Sequence, residues 1–181
     1  MTRPVAVAVT GGIGAGKSEA LAAFARHGAA TLSADAVVHE LIAGDAEVRA
    51  ALERRFGTTD RAAIARVVFA DPAELAWLEA LLHPRVRDRY AEWLAGVDAR
   101  VAAVEIPLLY ETGGEARFDK VVLVTAPPAL RRARSAAAGG EREARLLPDE
   151  EKAARADYVY VNSGSLADLD RFVAGVMEEL A

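Results

Sequence analysis

The eight residues Gly11–Ser18, Gly-Gly-Ile-Gly-Ala-Gly-Lys-Ser, constrain this chain more than any other stretch. They fit the spacing G-x-x-x-x-G-K-[ST]. The apolar run Val5–Thr10 leads directly into them, and a helical pattern carrying Leu21, Phe24 and Ala25 follows. A strand, a glycine-rich turn and a helix in that order predict a loop whose backbone N–H groups face inward around phosphates. In such a loop Gly12, Ile13, Gly14, Ala15 and Gly16 supply the backbone cradle, Lys17 reaches the outer phosphates, and the Ser18 hydroxyl is placed to hold Mg²⁺. The ligand implied is a nucleoside triphosphate.

The rest of the composition narrows the class. A chain of 181 residues suffices for one well-buried core with insertions and argues against two independent domains. It has no cysteine, and its three histidines, at 27, 39 and 83, lack metal-ligand spacing, so any metal is expected to arrive with the nucleotide. A net charge of −5 disfavours a nucleic-acid surface. No apolar run approaches the roughly 20 residues of a membrane helix. The start, Met1-Thr2-Arg3-Pro4, enters strand residues at once without a signal-peptide pattern. The expectation is a cytoplasmic protein with small-molecule substrates, no membrane contact and no obligatory protein partner.

Four further stretches read as short buried strands: Ala29–Leu32, Val101–Ile106, Val121–Val124 and Tyr158–Val161, with helical patterns between them. This alternation predicts an α/β fold, a mostly parallel five-stranded sheet with helices on both faces. Ligands should gather beyond the C-terminal strand ends, at Thr10, Ser33 to Asp35, Pro107 and Thr125. From Ala36 to Ala95 no strand pattern occurs, which predicts an inserted helical subdomain. Leu75, Leu78, Leu82, Val86 and Tyr90 recur there at helical spacing, and His83-Pro84 predicts a break or kink. Trp77 and Trp93 read as core residues. A second insertion, Pro127–Ala156, carries Arg131, Arg132, Arg134, Arg142, Arg145 and Arg155 around Gly139-Gly140 and reads either as a lid over the nucleotide or as a solvated charged helix hairpin. The nucleotide-binding core is then 1–35, 96–126 and 157–181.

Together with Thr10–Ser18, an ordered set of stretches resembles the dephospho-coenzyme A kinases. These are Ser33-Ala34-Asp35, His39-Glu40-Leu41, Arg61 before Val68–Pro72, Leu81–Pro84, Ile106–Glu111, Phe118-Asp119, Ala156-Asp157 and Asn162-Ser163-Gly164. The resemblance spans nearly the whole chain. It implies a three-layer phosphate-loop kinase that uses ATP and Mg²⁺ to phosphorylate the ribose 3′-hydroxyl of dephospho-CoA, giving CoA and ADP in the last step of CoA biosynthesis.

By that resemblance Asp35 orients the hydroxyl and accepts its proton, Lys17 holds the donor phosphates, and Arg134 stabilises developing charge. Read from its neighbours alone, Asp35 is first an N-cap for a helix beginning near Ala36, a role that can coexist with the catalytic one. His83 and Arg87 of the helical insertion, with Leu108 after the third strand, would contact the acceptor, although His83 reads equally as the cap of a kinked helix. Asn162 and Gly164 would border the adenine. Arg131 and Arg132 are expected to face solvent. Glu105 reads either as an acid that organises Mg²⁺ or as a support for a neighbouring loop, and Glu111 is similarly open.

The chain departs from the family pattern at two places. Ser33 stands where relatives usually carry an aspartate, and the lid is shortened, with Ala136–Ala138 where an arginine is common and Arg142 or Arg145 as substitutes. Two other readings compete: a different small-molecule or nucleotide kinase of the same architecture, and a nucleotide-dependent switch. The second lacks any Asn-Lys-x-Asp or Asp-x-x-Gly run.

Overall fold

The apolar run before the glycine-rich turn is β1 (Val5–Thr10), and it lies at the centre of a five-stranded sheet in the computed structural model. The structure describes residues 3–135 and 146–180. The other strands are β2 (Ala30–Ser33), β3 (Val101–Glu105), β4 (Lys120–Thr125) and β5 (Tyr158–Val161), in the order β2-β3-β1-β4-β5. Every neighbouring pair is parallel. β1 can occupy the middle because its valines and alanines are apolar on both faces, as a doubly covered parallel strand requires.

The chain divides into two compact units, one ending at Ser33 and resuming at Leu94, the other Ala34–Trp93. In the first, alternation along β1 sends Val7 and Val9 to one face and Ala8 to the other. The Val7 and Val9 face is covered by α1 (Lys17–Arg26), through Ala20, Ala23 and Phe24, and by the C-terminal helix Leu166–Glu179, through Leu169, Val173 and Val176. Small alanines let α1 approach the strands closely. The C-terminal helix starts in a capping box, in which Ser165 and Asp168 satisfy each other's backbone N–H groups. The Ala8 face is covered by Leu109 and Tyr110, with Phe118, Leu147 and Ala156 packed around them.

At the N-terminal ends of the strands two aspartates satisfy orphan backbone donors. Asp119 accepts from Ala6 N–H at 2.9 Å and pairs bidentately with Arg3, and Asp157 accepts from Val121 N–H at 2.8 Å and pairs with Lys120. The Arg3 hydrogen bond holds the Asp119 carboxyl below the ordinary carboxylate range. Burial pushes Asp157 upward, but the Lys120 and Val121 hydrogen bonds outweigh it and its carboxyl also sits low. These are the two aspartates of the Phe118-Asp119 and Ala156-Asp157 stretches.

The second unit is helical: α2 (Ala34–Gly44), α3 (Ala46–Phe56), α4 (Arg61–Ala70) and α5 (Pro72–Gly96), the last crossing the boundary into the first unit. Asp45 and Asp60 cap α3 and α4 by accepting from Val48 N–H and Ala63 N–H. Of the predicted α5 stripe, Leu82, Val86 and Tyr90 are buried. Trp77 packs edge-on against Phe56, with ring centroids 5.4 Å apart.

Three expectations are corrected here. The break at His83-Pro84 is absent, because α5 runs through Pro84. The proline ring removes the N–H that would bond the Ala80 carbonyl, and the helix is carried past it by the burial of Leu82, Val86 and Tyr90 on one face. Next, α2 starts at Ala34, earlier than expected, so Asp35 lies inside its first turn and is not its N-cap. Finally, strand bounds shift by a residue: β2 ends at Ser33, β3 ends at Glu105, and β4 extends to Lys120 and Thr125.

Candidate active site

The glycine-rich turn has the local geometry that its composition anticipates. Gly14 and Gly16 adopt φ of 73° and 103°, a left-handed backbone that side chains disfavour. A Cβ on Gly16 would also stand 2.3 Å from Asn162 Nδ2. Gly16 then caps α1, whose first-turn N–H groups have no intrahelical partner and point toward the loop. Lys17 Nζ donates to the Gly12 carbonyl at 3.0 Å, so its ammonium is held over the loop. A cation, a helix N-terminus and a glycine-shaped backbone stand together here, features that suit an anionic ligand.

Ser18 and Glu105 converge at the C-terminal edge of the sheet. The Ser18 hydroxyl lies 3.3 Å and 3.4 Å from the two oxygens of Glu105, whose side chain is buried at the end of β3. Glu105 is in register with Val9 of β1 and Ser33 of β2. A buried carboxylate and a hydroxyl at that spacing are hard oxygen donors of the kind Mg²⁺ prefers. Among the described residues no group of three or more His, Cys, Asp or Glu side chains is arranged to hold a metal by itself.

Asn162 braces the loop from below. It is buried, its Nδ2 donates to the Ala15 carbonyl at 2.8 Å, and its N–H donates to the Thr125 carbonyl at 2.7 Å. Gly164 leaves room for the Asp168 carboxylate, which a Cβ would meet at 2.6 Å, so it serves the capping box of the C-terminal helix. Both residues flank the end of β5, next to the phosphate loop.

The arginines distribute differently from the expectation. On α6 (Pro128–Arg134), Arg132 and Arg134 are exposed, and Arg134 donates to the Asn162 carbonyl at a long 3.4 Å. Arg131 was expected in solvent and is instead largely buried, its side chain 14% exposed. Its backbone carbonyl lies against Gly14, and its guanidinium lies 3.8 Å from Asp149, which also accepts from the Thr125 hydroxyl. The reason is tertiary: the Arg131 backbone, in the last turn of α6, is packed against Gly14 of the phosphate loop, and Asp149 draws the guanidinium inward. Beside it is a cavity of about 540 Å³, lined by Gly12, Pro127, Arg131, Leu147, Asp149 and Val161 among others. Arg142 and Arg145, with Gly139 and Gly140, lie outside the described residues.

Leu108 follows β3 in the turn before Tyr110 and is half-buried. In the helical unit, Asp35 is exposed on the first turn of α2, two residues after β2 ends. Arg61 donates to His39 Nδ1, joining two of the stretches noted in the sequence. His83 shares one stripe of α5 with Glu79 and Arg87. Burial, helped by Arg87 and opposed by Glu79, lowers its pKa and keeps the imidazole neutral at pH 7. Sequence reasoning missed the Arg131–Asp149 contact and the burial of Lys152. Neither has a local signal, because both residues sit in charged, polar stretches that read as solvated.

Comparison with known proteins is consistent with this geometry. The family model described as dephospho-CoA kinase matches residues 5–168. A dephospho-CoA kinase of Cereibacter sphaeroides is 41% identical over 175 residues, covering 90% of this chain and 89% of that one. One of Thermus thermophilus is 39% identical over 190 residues, covering 98% and 92%. A crystal structure from Thermus thermophilus superposes with a TM-score of 0.79 at 37% identity, covering 99% of this chain and all of that one.

Proposed function

The chain belongs to the dephospho-CoA kinase family, and from that membership we propose a division of labour among its residues. The reaction is transfer of the γ-phosphoryl group of ATP to the 3′-hydroxyl of dephospho-CoA, the step that completes CoA. The donor phosphates lie in the Gly12–Ser18 loop, with Lys17 leaving its Gly12 contact to meet their charge. The observation that carries this reading is the loop itself, in which left-handed glycines, the α1 N-terminus and Lys17 converge. Residues 34–93, the helical unit, are assigned to the acceptor.

In this mechanism Asp35 accepts the proton of the 3′-hydroxyl as its oxygen forms a bond to the γ-phosphorus. The bond from that phosphorus to the β,γ-bridging oxygen breaks, and ADP leaves with the electron pair. Because the transition state is loose, Asp35 acts mainly by orienting the hydroxyl. Its exposure on α2 suits that role. Ser18 and Glu105 are the residues that would hold Mg²⁺, which when bound neutralises charge on the donor phosphates. Arg134, and Arg131 anchored at Gly14, supply guanidinium groups on the side of α6. Neutral His83, Arg87 and Leu108 contact the acceptor.

The test is ADP release from ATP, Mg²⁺ and dephospho-CoA, with the product identified by mass as the 3′-phosphorylated compound. Nucleoside monophosphates are offered as competing acceptors. CoA formation in preference to nucleotide phosphorylation is expected. A preference for the monophosphates overturns the acceptor and leaves only a phosphate-loop kinase.

A further inference from the structure

The residues 146–156 return the chain to β5, and they are tied to the turn after β3 by charges that the fold has withdrawn from water. Lys152 lies on α7 (Asp149–Ala153) with its side chain fully buried, and its Nζ is 2.7 Å from Glu111 Oε1. The same carboxylate oxygen accepts from Leu147 N–H at 3.0 Å. Glu111 has a fixed base. Leu109 and Tyr110 beside it are buried, Gly114 N–H donates to the Leu109 carbonyl at 2.8 Å, and Thr112 Oγ1 donates to the Leu108 carbonyl at 2.8 Å. A second tie lies nearby, where Arg155 pairs with Glu115 and sits 4.4 Å over the Tyr110 ring.

What the pair holds in place matters for the donor site. Asp149, the first residue of α7, accepts from Thr125 at the end of β4 and faces the Arg131 guanidinium. Arg131 in turn rests against Gly14 of the phosphate loop. A continuous set of contacts therefore runs from Glu111 through Lys152 and α7 to Asp149, Arg131 and the loop. A helix needing only an anchor would be served as well by apolar contacts, since a buried ion pair carries a desolvation cost that such contacts avoid. Here the charge pair and the Leu147 N–H bond meet on one carboxylate oxygen, holding both ends of the 147–152 segment at a single point of the turn after β3.

We propose that Glu111 and Lys152 are a positioning pair for phosphoryl transfer, setting Asp149 and Arg131 against the phosphate loop so that the donor site excludes water. The inference rests on the kinase reading above. It predicts that loss of the pair uncouples ATP consumption from transfer, because a displaced α7 opens the donor site to water as a competing acceptor.

The experiment compares the wild type with Glu111→Gln/Lys152→Met, which removes both charges together and leaves no unpaired buried ion. Initial rates of ADP release and of CoA formation are measured with ATP, Mg²⁺ and dephospho-CoA, alongside the melting temperature. The wild type should release one ADP per CoA. The double variant should keep a melting temperature close to the wild type while kcat for CoA falls about tenfold and ADP release exceeds CoA formation severalfold. A folded double variant with kcat within about twofold of wild type and one-to-one coupling overturns the proposal. Should the double variant not fold, Lys152→Met alone, which leaves Glu111 its Leu147 N–H partner and its partial exposure, reads the same property. Excess ADP release supports the proposal, and unchanged coupling overturns it. A wild-type chain that makes no CoA overturns the kinase reading and this inference with it.

Discussion

Lys17 and Asp35 are assigned to opposite ends of the transferred group, so substituting each separates donor from acceptor. Lys17→Ala should lower kcat by on the order of 10³-fold, as loss of a charge aimed at the transition state does. Asp35→Asn should lower kcat by about 10²- to 10⁴-fold while the Kd for ATP stays within about twofold, since its work is done at the acceptor. Steady-state rates with direct ATP-binding titrations check both, and an Asp35→Asn enzyme of normal turnover removes that residue from the mechanism. Lys17 and Glu105 differ in how far their surroundings were legible. Lys17 was readable because its neighbours in sequence are its neighbours in space. Glu105 left two readings open in sequence. Its approach to Ser18 brings together residues 87 apart in the chain, and no local pattern encodes that. Arg131 was misread for the same reason, its burial being imposed by Asp149 and Gly14.

Elements in this molecule are terminated by side chains whose ionisation has consequences for stability. Asp119 and Asp157 close the N-terminal ends of β1 and β4, and both carboxyl groups sit below their ordinary range in the folded chain. A group with a depressed folded pKa binds its proton more readily when unfolded. Its stabilisation is therefore complete above the unfolded value of about 3.9 and is lost as pH falls through the lower folded value. Urea unfolding measured from pH 6 downward should show stability declining in that acid window, with a shallower decline in Asp119→Asn. An unchanged slope would remove Asp119 as a contributor. The strand positions were legible to within a residue, and β1, β3 and β4 are the buried apolar runs expected of parallel strands; β2 and β5 were expected to be buried too but are the sheet's edges, where β2 is half-buried and Val159 and Val161 of β5 are exposed. The path of α5 through Pro84 was not: the proline signal is local, whereas the packing of Leu82, Val86 and Tyr90 holds the helix together.

For the whole molecule the assignment implies that the two ligands stabilise the chain independently. A non-hydrolysable ATP analogue with Mg²⁺ at about a hundredfold over its Kd should add about 2.7 kcal/mol, which corresponds to a rise in Tm of roughly 5–10 °C for a chain of this size. Lys17→Ala should lose most of that shift and keep the shift produced by dephospho-CoA. Loss of both would mean that the substitution damaged the fold rather than the donor site. The amino-acid sequence by itself determined the phosphate loop, the α/β alternation and the resemblance that spans the chain. Each of these is carried by residues adjacent in sequence or repeating at the period of one element. Only the tertiary structure decided the strand order β2-β3-β1-β4-β5, the meeting of Ser18 with Glu105, the bracing of Ala15 by Asn162, and the burial of Lys152 against Glu111. In each case the partners are far apart along the chain, and their energies depend on desolvation and direction, which exist only once the sheet has brought them together.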